Sequence, residues 1–359
     1  MFDETSTTAA IVDAIDGAKQ VVNAEFFGIS DAGKGAQLTQ ALARAARRGV
    51  EVNVIADFVS QIVPPFGAFH RFRDEIEGAG GHVIVTDHNP LSKEYRATPG
   101  LRHVDHRKVV TVDGSRAFVG GMNFVQLTDG YHDTMVRLAG VDAARVAVNE
   151  SERWKAVGGT VTGRQQQTIA AGLGGAPVVP TERTAIRMID NAPDLGRFDL
   201  TNSYLELIRG AKHRLWIASP GISDRSIMQE IAAAAARGVD VRIVTPGTAP
   251  LGVPVLNWVA RGHFQALAKH GGTGYQIPEV LHRKALIADD EAILSSYNLT
   301  DRSREHDHES GVRTADPEFV AAVTDIFQRD IDRAAKYDPS TATRLADRIG
   351  AFLAKHVTY

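Results

Sequence analysis

Two eight-residue stretches, His106-Arg107-Lys108-Val109-Val110-Thr111-Val112-Asp113 and His282-Arg283-Lys284-Ala285-Leu286-Ile287-Ala288-Asp289, both read HxKxxxxD. An imidazole beside an ammonium group, present twice, is equipped for a displacement at an anionic centre such as a phosphodiester. The attack needs positive charge around the equatorial oxygens, and Lys108 and Lys284 supply it. One imidazole then attacks phosphorus while the other protonates the departing alkoxide, so that a difficult displacement becomes two easier ones through a phosphohistidine. Imidazole suits both roles because its unperturbed pKa of about 6.5 lets neutral and protonated forms coexist near neutrality. The residues themselves leave open which histidine attacks.

The elements that must position these groups follow from the pattern. The four residues between Lys and Asp are apolar or β-prone in both copies, which reads as a buried strand with His and Lys at its start. Alternation along a strand sends residues two apart to one face, so the His and Lys of each copy stand side by side. Asp113 and Asp289 complete the motif at the far end and read as structural acceptors there. The repeat extends beyond these residues. Residues 41–57 (ALARAARRGVEVNVIAD) match residues 230–246 (EIAAAAARGVDVRIVTP), each an Ala-rich helix, then Arg-Gly-Val, an acidic residue and an apolar strand. Arg237 lies 189 residues after Arg48, whereas His282 lies 176 after His106, so the first half carries about thirteen extra residues, assigned to the polar stretch 87–100. The expected fold class is α/β, with two repeated α-β-α layered domains packed as a pseudo-two-fold dimer around one shared active site. The expected domains are residues 1–156 and 185–359, the second ending in a helix over 341–359, with a Gly-rich linker or loop over 157–184.

Downstream of the motifs stand Gly120-Gly121-Met122-Asn123 and Tyr131-His132-Asp133 in the first half, and Ser295-Ser296-Tyr297-Asn298, Arg302-Ser303 and Asp307-His308-Glu309 in the second. With the paired motifs, these residues resemble the phospholipase D superfamily and, within it, the bacterial cardiolipin-synthase-like branch; the resemblance covers nearly the whole chain. The usual Gly-Ser-x-Asn loop is altered in both halves, which touches phosphate hydrogen bonding rather than the His-Lys pairs. The resemblance implies that His106 is the nucleophile and His282 the acid, and that Asn123 and Asn298 donate hydrogen bonds to phosphate. Asp133 and Glu309 would each accept a hydrogen bond from the far ring nitrogen of one histidine, fixing its tautomer. The implied reaction is phosphatidyl transfer of the cardiolipin synthase type, with phospholipid hydrolysis as the alternative and nuclease activity third.

Composition sets the remaining bounds. The chain has 359 residues, 43% hydrophobic content and 23% charge, ordinary for a two-domain globular protein. A net charge of −3 gives no bulk attraction to nucleic acid, and there are no basic strips interleaved with aromatics, so the expected partners are a phosphatidylglycerol-like phospholipid and an alcohol acceptor. No apolar run approaches the roughly 18 residues of a membrane span, and the N-terminus lacks a secretion signal. The expected location is therefore cytoplasmic, peripheral to the inner face of the cell membrane. Segments 58–72 and 250–264 mix Pro, aromatic and aliphatic residues, and are candidates for touching that surface through Phe66, Phe69 and Trp258. Zero cysteines exclude disulfides and thiolate ligands. No cofactor and no metal are expected, since phosphohistidine chemistry needs none and His103, His306 and His308 lack ligand-like helical spacing.

Overall fold

The computed structural model describes residues 4–65, 67–86, 103–247, 254–341, 349 and 352. The chain divides into two compact units. One holds residues 1–130 and 134–188, the other residues 131–133 and 189–359.

The first unit runs α1 (Glu4–Asp16), β1 (Val21–Phe26), α2 (Lys34–Arg47), β2 (Glu51–Asp57), α3 (Val59–Ile62), α4 (Ala68–Gly78), β3 (His82–Thr86), β4 (Lys108–Val112), β5 (Arg116–Gly120), β6 (Met135–Ala139), α5 (Gly140–Ala156) and α6 (Gly163–Leu173). Its six strands lie in the order β3-β2-β1-β4-β5-β6. The β1–β2 and β2–β3 pairs are parallel, and the other three are antiparallel. On β1, Val22, Ala24 and Phe26 face a core built with Ile11 and Ile15 of α1, Leu38, Ala41 and Leu42 of α2, and Phe69, Phe72 and Ile76 of α4. Spacings of three and four put each of these helical sets on one face. The alternate β1 residues Asn23 and Glu25 meet Gln165 of α6 and Arg153 of α5 on the other side of the sheet. Helices therefore cover both faces, which is why all five residues of β4 are buried.

The second unit repeats this plan. It runs β7 (Arg187–Ala192), β8 (Arg197–Phe198), α7 (Asp199–Gly210), β9 (Arg214–Ala218), α8 (Arg225–Ala236), β10 (Asp240–Pro246), α9 (Pro254–Ala268), β11 (Thr273–Ile277), β12 (Lys284–Ala288), β13 (Glu291–Ser295), α10 (Asp301–Glu305), β14 (Glu309–Thr314), α11 (Pro317–Arg333) and β15 (Ala335–Lys336). Within the order β15-β11-β10-β9-β12-β13-β14-β7-β8, the six strands from β11 to β14 correspond one for one to β3-β2-β1-β4-β5-β6. One face packs on α7, α8 and α9 through Leu200, Tyr204, Ile227, Ile231, Phe264 and Leu267. The other is covered by α11, whose Phe327 stacks on Trp216 of β9 with ring centroids 5.3 Å apart. Each unit is thus an α-β-α layered copy of one mixed-sheet design.

Two sequence expectations change here. Residues 157–184 are not a free linker: α6 forms within them and belongs to the first unit. Thr162 caps the helix by accepting from the Gln165 backbone N–H, and the Gln165 side chain is buried, donating to Asn23 at 2.9 Å. The glycines on either side of Arg164-Gln-Gln-Gln-Thr-Ile-Ala-Ala had suggested a loop. Phe69 is only 2% exposed and sits in the first core with Phe72, so it is no surface anchor. Phe264 is likewise fully buried. Phe66 and the stretch 248–253 lie outside the described residues, as do 87–102 and, apart from Ile349 and Phe352, the expected C-terminal helix. Among the described residues no helix is long and apolar enough to cross a membrane.

Candidate active site

The paired motifs open equivalent strands. β4 begins at Lys108 and β12 at Lys284, each two residues after its histidine. In both copies the lysine ammonium folds back to donate to the histidine carbonyl, Lys108 to His106 and Lys284 to His282, each at 2.5 Å. Lys108 is wholly buried and Lys284 nearly so. Phe27 walls the first pair: its ring centroid lies 4.7 Å from that of His106 and 5.0 Å from Lys108 Nζ.

Asp113 and Asp289 close the strands in a shared conformation, with φ values of 52° and 51°. Asp113 accepts from the backbone N–H groups of Lys19, Gln20 and Val21, and Asp289 from those of Lys212, His213 and Arg214. Three such bonds hold Asp289 below the ordinary carboxylate range despite burial. At about 3.3 Å per residue, these carboxylates lie roughly 16 Å along the strand from the lysines. They tie the end of each motif strand to the start of its neighbour, β1 or β9.

The second unit assembles the most complete constellation. Residues 131–133, though contiguous with the first half, pair with residues 280–283: the His132 N–H donates to Val280, and the His132 carbonyl accepts from the N–H groups of both His282 and Arg283. This clasp delivers Asp133, 3% exposed, to His282, with Oδ2 2.5 Å from Nδ1. Lys284 Nζ stands 2.9 and 3.0 Å from the two ring nitrogens. Burial pushes the Lys284 ammonium down to about 8, against the pull of Asp133 and Glu309, so it stays charged at neutral pH. Glu309, fully buried, accepts from the Ser296 and Ser303 hydroxyls, the latter at 2.7 Å. Asn123 and Asn298 follow β5 and β13 at matching points, and the side-chain oxygen of each is buried with no hydrogen-bond partner among the described residues.

In the first unit, Asp57 supports the approach to His106. Its Oδ2 accepts from the Asp105 N–H at 2.7 Å and from the Thr86 hydroxyl at 3.2 Å, and burial raises its carboxyl to about 6. Among the residues considered for a metal, His308 Nε2 lies 2.5 Å from Asp194, and Asp307 pairs with Arg302 at 3.0 Å. Sequence reasoning missed the charged groups behind the motifs, namely Glu25, Asp105, Arg107, Arg153, Arg283 and Asp330. For Glu25 the signal was a charged residue at an alternate position of a strand covered on both sides; Arg153 and Asp330 lie on helices and left no such sign.

A duplicated mixed sheet that starts the same strand in each copy with a His-x-Lys pair defines an enzyme of the phospholipase D superfamily. The family model described as cardiolipin synthase, phospholipase D-like domain, matches residues 11–153 and 204–331, and the chain belongs to that family. Cardiolipin synthase A of Pseudomonas entomophila (strain L48) is 29% identical over 379 residues, covering 100% of this chain and 74% of the relative. Cardiolipin synthase A of Pseudomonas aeruginosa (strain LESB58) is 28% identical over 365 residues, covering 97% and 70%. In fold, the chain resembles phosphatidylserine synthase of Haemophilus influenzae Rd KW20, with a TM-score of 0.77 at 14% identity over 99% of this chain and 92% of that one. It also resembles polyphosphate kinase of Porphyromonas gingivalis, with a TM-score of 0.59 at 14% identity over 97% and 50%.

Proposed function

We propose that this enzyme moves a phosphatidyl group between the alcohols of phospholipids, making cardiolipin from two molecules of a phosphatidylglycerol-like lipid. A ring nitrogen of His106 attacks phosphorus as the bond to the headgroup glycerol breaks, and His282 gives its proton to the departing oxygen. The glycerol hydroxyl of the second lipid then returns a proton to His282 while its oxygen displaces His106. Lys108 and Lys284 neutralise the phosphoryl oxygens, and Asn123 and Asn298 donate to them through their amide N–H groups. Because the substrate resides in a bilayer, the protein works by peripheral contact at the inner face of the cell membrane.

The observation that carries this reading is the Asp133–His282 pair beside Lys284. A buried carboxylate on Nδ1 fixes the tautomer and orientation of the ring, as a proton-transferring imidazole requires, and Lys284 Nζ stands 3.0 Å from Nε2. In the second copy Glu309 follows Asn298 as Asp133 follows Asn123, and it is the matching candidate for orienting a histidine. The test is product analysis on phosphatidylglycerol vesicles. Cardiolipin and free glycerol in equal amounts are expected, whereas phosphatidic acid and glycerol without cardiolipin would make water the acceptor and the enzyme a hydrolase.

A further inference from the structure

The middle residue of each His-Arg-Lys triplet points away from the chemistry, and both arginines are buried, Arg107 completely and Arg283 to 8% exposure. What receives them differs between the copies in an orderly way. In the second unit, Arg283 donates to Asp330 on α11. Asp330 sits 177 residues after Arg153, just as Pro317, which opens α11, sits 177 after Gly140, which opens α5. The helix behind the triplet therefore offers Asp in one copy and Arg in the other. A direct Arg107–Arg153 meeting would bury two like charges, and the first unit places carboxylates between them. Arg153 Nη2 reaches Asp105 at 2.7 Å and Glu25 at 3.2 Å, while Arg107 Nη1 lies 3.5 Å from Asp105 and 3.9 Å from Glu25.

The intervening acids belong to the first copy alone. Glu25 is registered with Val109 on β4, and the corresponding Ala285 on β12 is registered with Ala218; Asp105, one residue before His106, corresponds to Leu281 before His282. A buried carboxylate thus appears beside the strand where the helix offers Arg, and an apolar residue where it offers Asp. Burial, together with Asp105 and Glu150, raises the Glu25 carboxyl well above its ordinary range against the pull of Arg153 and Arg107. In the second copy Arg283 also feels Asp133, the partner of His282, so its placement bears directly on that imidazole.

We infer that Arg107 and Arg283 are positioning residues, and that the charged side chains of the backing helices, Arg153 and Asp330, anchor them so that each His-Lys pair is held from behind. The inference rests on the proposed reading only in taking His282 as a working group of the site. The test uses the full chain with Asp330→Asn and Arg283→Lys, checked for cooperative melting, and reads two quantities. One is the rate on phosphatidylglycerol vesicles. The other is the midpoint of the His282 imidazole titration by NMR, its signal assigned through its loss in His282→Gln. In both variants kcat should fall at least tenfold with KM within about twofold. The His282 midpoint should fall by half a pH unit or more as its contact with Asp133 loosens. Restoring the anchor with the reversed pair, Arg283→Asp with Asp330→Arg, should recover the midpoint more than either single change. A folded Asp330→Asn variant whose His282 titrates as in the wild type overturns the inference, even if its rate is lower. If the wild type makes no cardiolipin, the functional reading fails while the titration still decides the anchor.

Discussion

Replacing Asp133 with Asn preserves the shape of the side chain and removes its charge from a site only 3% exposed. The lost interaction is a short, charge-assisted hydrogen bond to His282 Nδ1 at 2.5 Å. Such bonds contribute about 1.5–3 kcal/mol, which converts to roughly a 10- to 150-fold loss in kcat. The upper end applies if the Asn amide group turns its N–H to the ring and selects the wrong tautomer. The substitution also withdraws one of the two carboxylates that hold Lys284 up against burial. Its ammonium, at about 8 in the wild type, should then lose its proton at lower pH, and the alkaline limb of the rate profile should move down with it. The assay is kcat and KM on phosphatidylglycerol vesicles across roughly pH 6 to 9, beside a thermal melt. A folded Asp133→Asn variant with kcat within twofold of wild type, or with an unmoved alkaline limb, refutes the reasoning.

Three further outcomes follow from other parts of the structure. Lys284 sits at about 8 when folded against an ordinary 10.5, so its charged form is disfavoured in the fold, and the wild type should gain up to about 3 kcal/mol of stability as pH climbs between those values. Denaturant melts of Lys284→Met should lack this gain while activity is lost, and parallel pH curves for the two proteins would count against the buried ammonium. Because the lysines supply the positive charge, dialysis against a chelator should leave the rate unchanged; loss with recovery on adding a divalent ion would contradict that assignment. Phe69→Ala empties a core position that is 2% exposed and should cost about 3–5 kcal/mol in a urea melt; a variant that keeps its stability and instead loses vesicle binding would return Phe69 to the surface.

The motif strands were legible because strand alternation is a local rule: an apolar run with His and Lys two apart can be placed without knowing its neighbours. The repeat was legible for a similar reason, since α2–β2 and α8–β10 keep one residue pattern through different side chains. What escaped reading depended on distant partners. Nothing near residues 131–133 shows that they pair with 280–283, since that clasp joins stretches about 150 residues apart. Nothing local to Arg107 and Arg283 signals their burial, which follows from α5 and α11 covering that side of each sheet. Phe69, Phe72 and Ile76 could have been recognised as one helix face from their spacing of three and four, but the Pro-Pro-Phe-Gly lead-in drew attention to a loop. In residues 157–184, six glycines outweighed the helical run at 164–171, whose anchor, the bond from Gln165 to Asn23, is again long-range.

The central claim is a covalent intermediate on one histidine with the other as its proton carrier, and turnover quenched with detergent at mildly alkaline pH, where a P–N bond survives, tests it most directly. Enzyme mixed with phosphatidylglycerol labelled with phosphorus-32 in the phosphatidyl group, quenched within a turnover and digested, should yield label on the peptide bearing His106. His282→Ala should give little turnover and His106→Ala no label at all. Label on the His282 peptide would reverse the two roles, and full turnover with no label on either histidine would contradict the covalent mechanism itself.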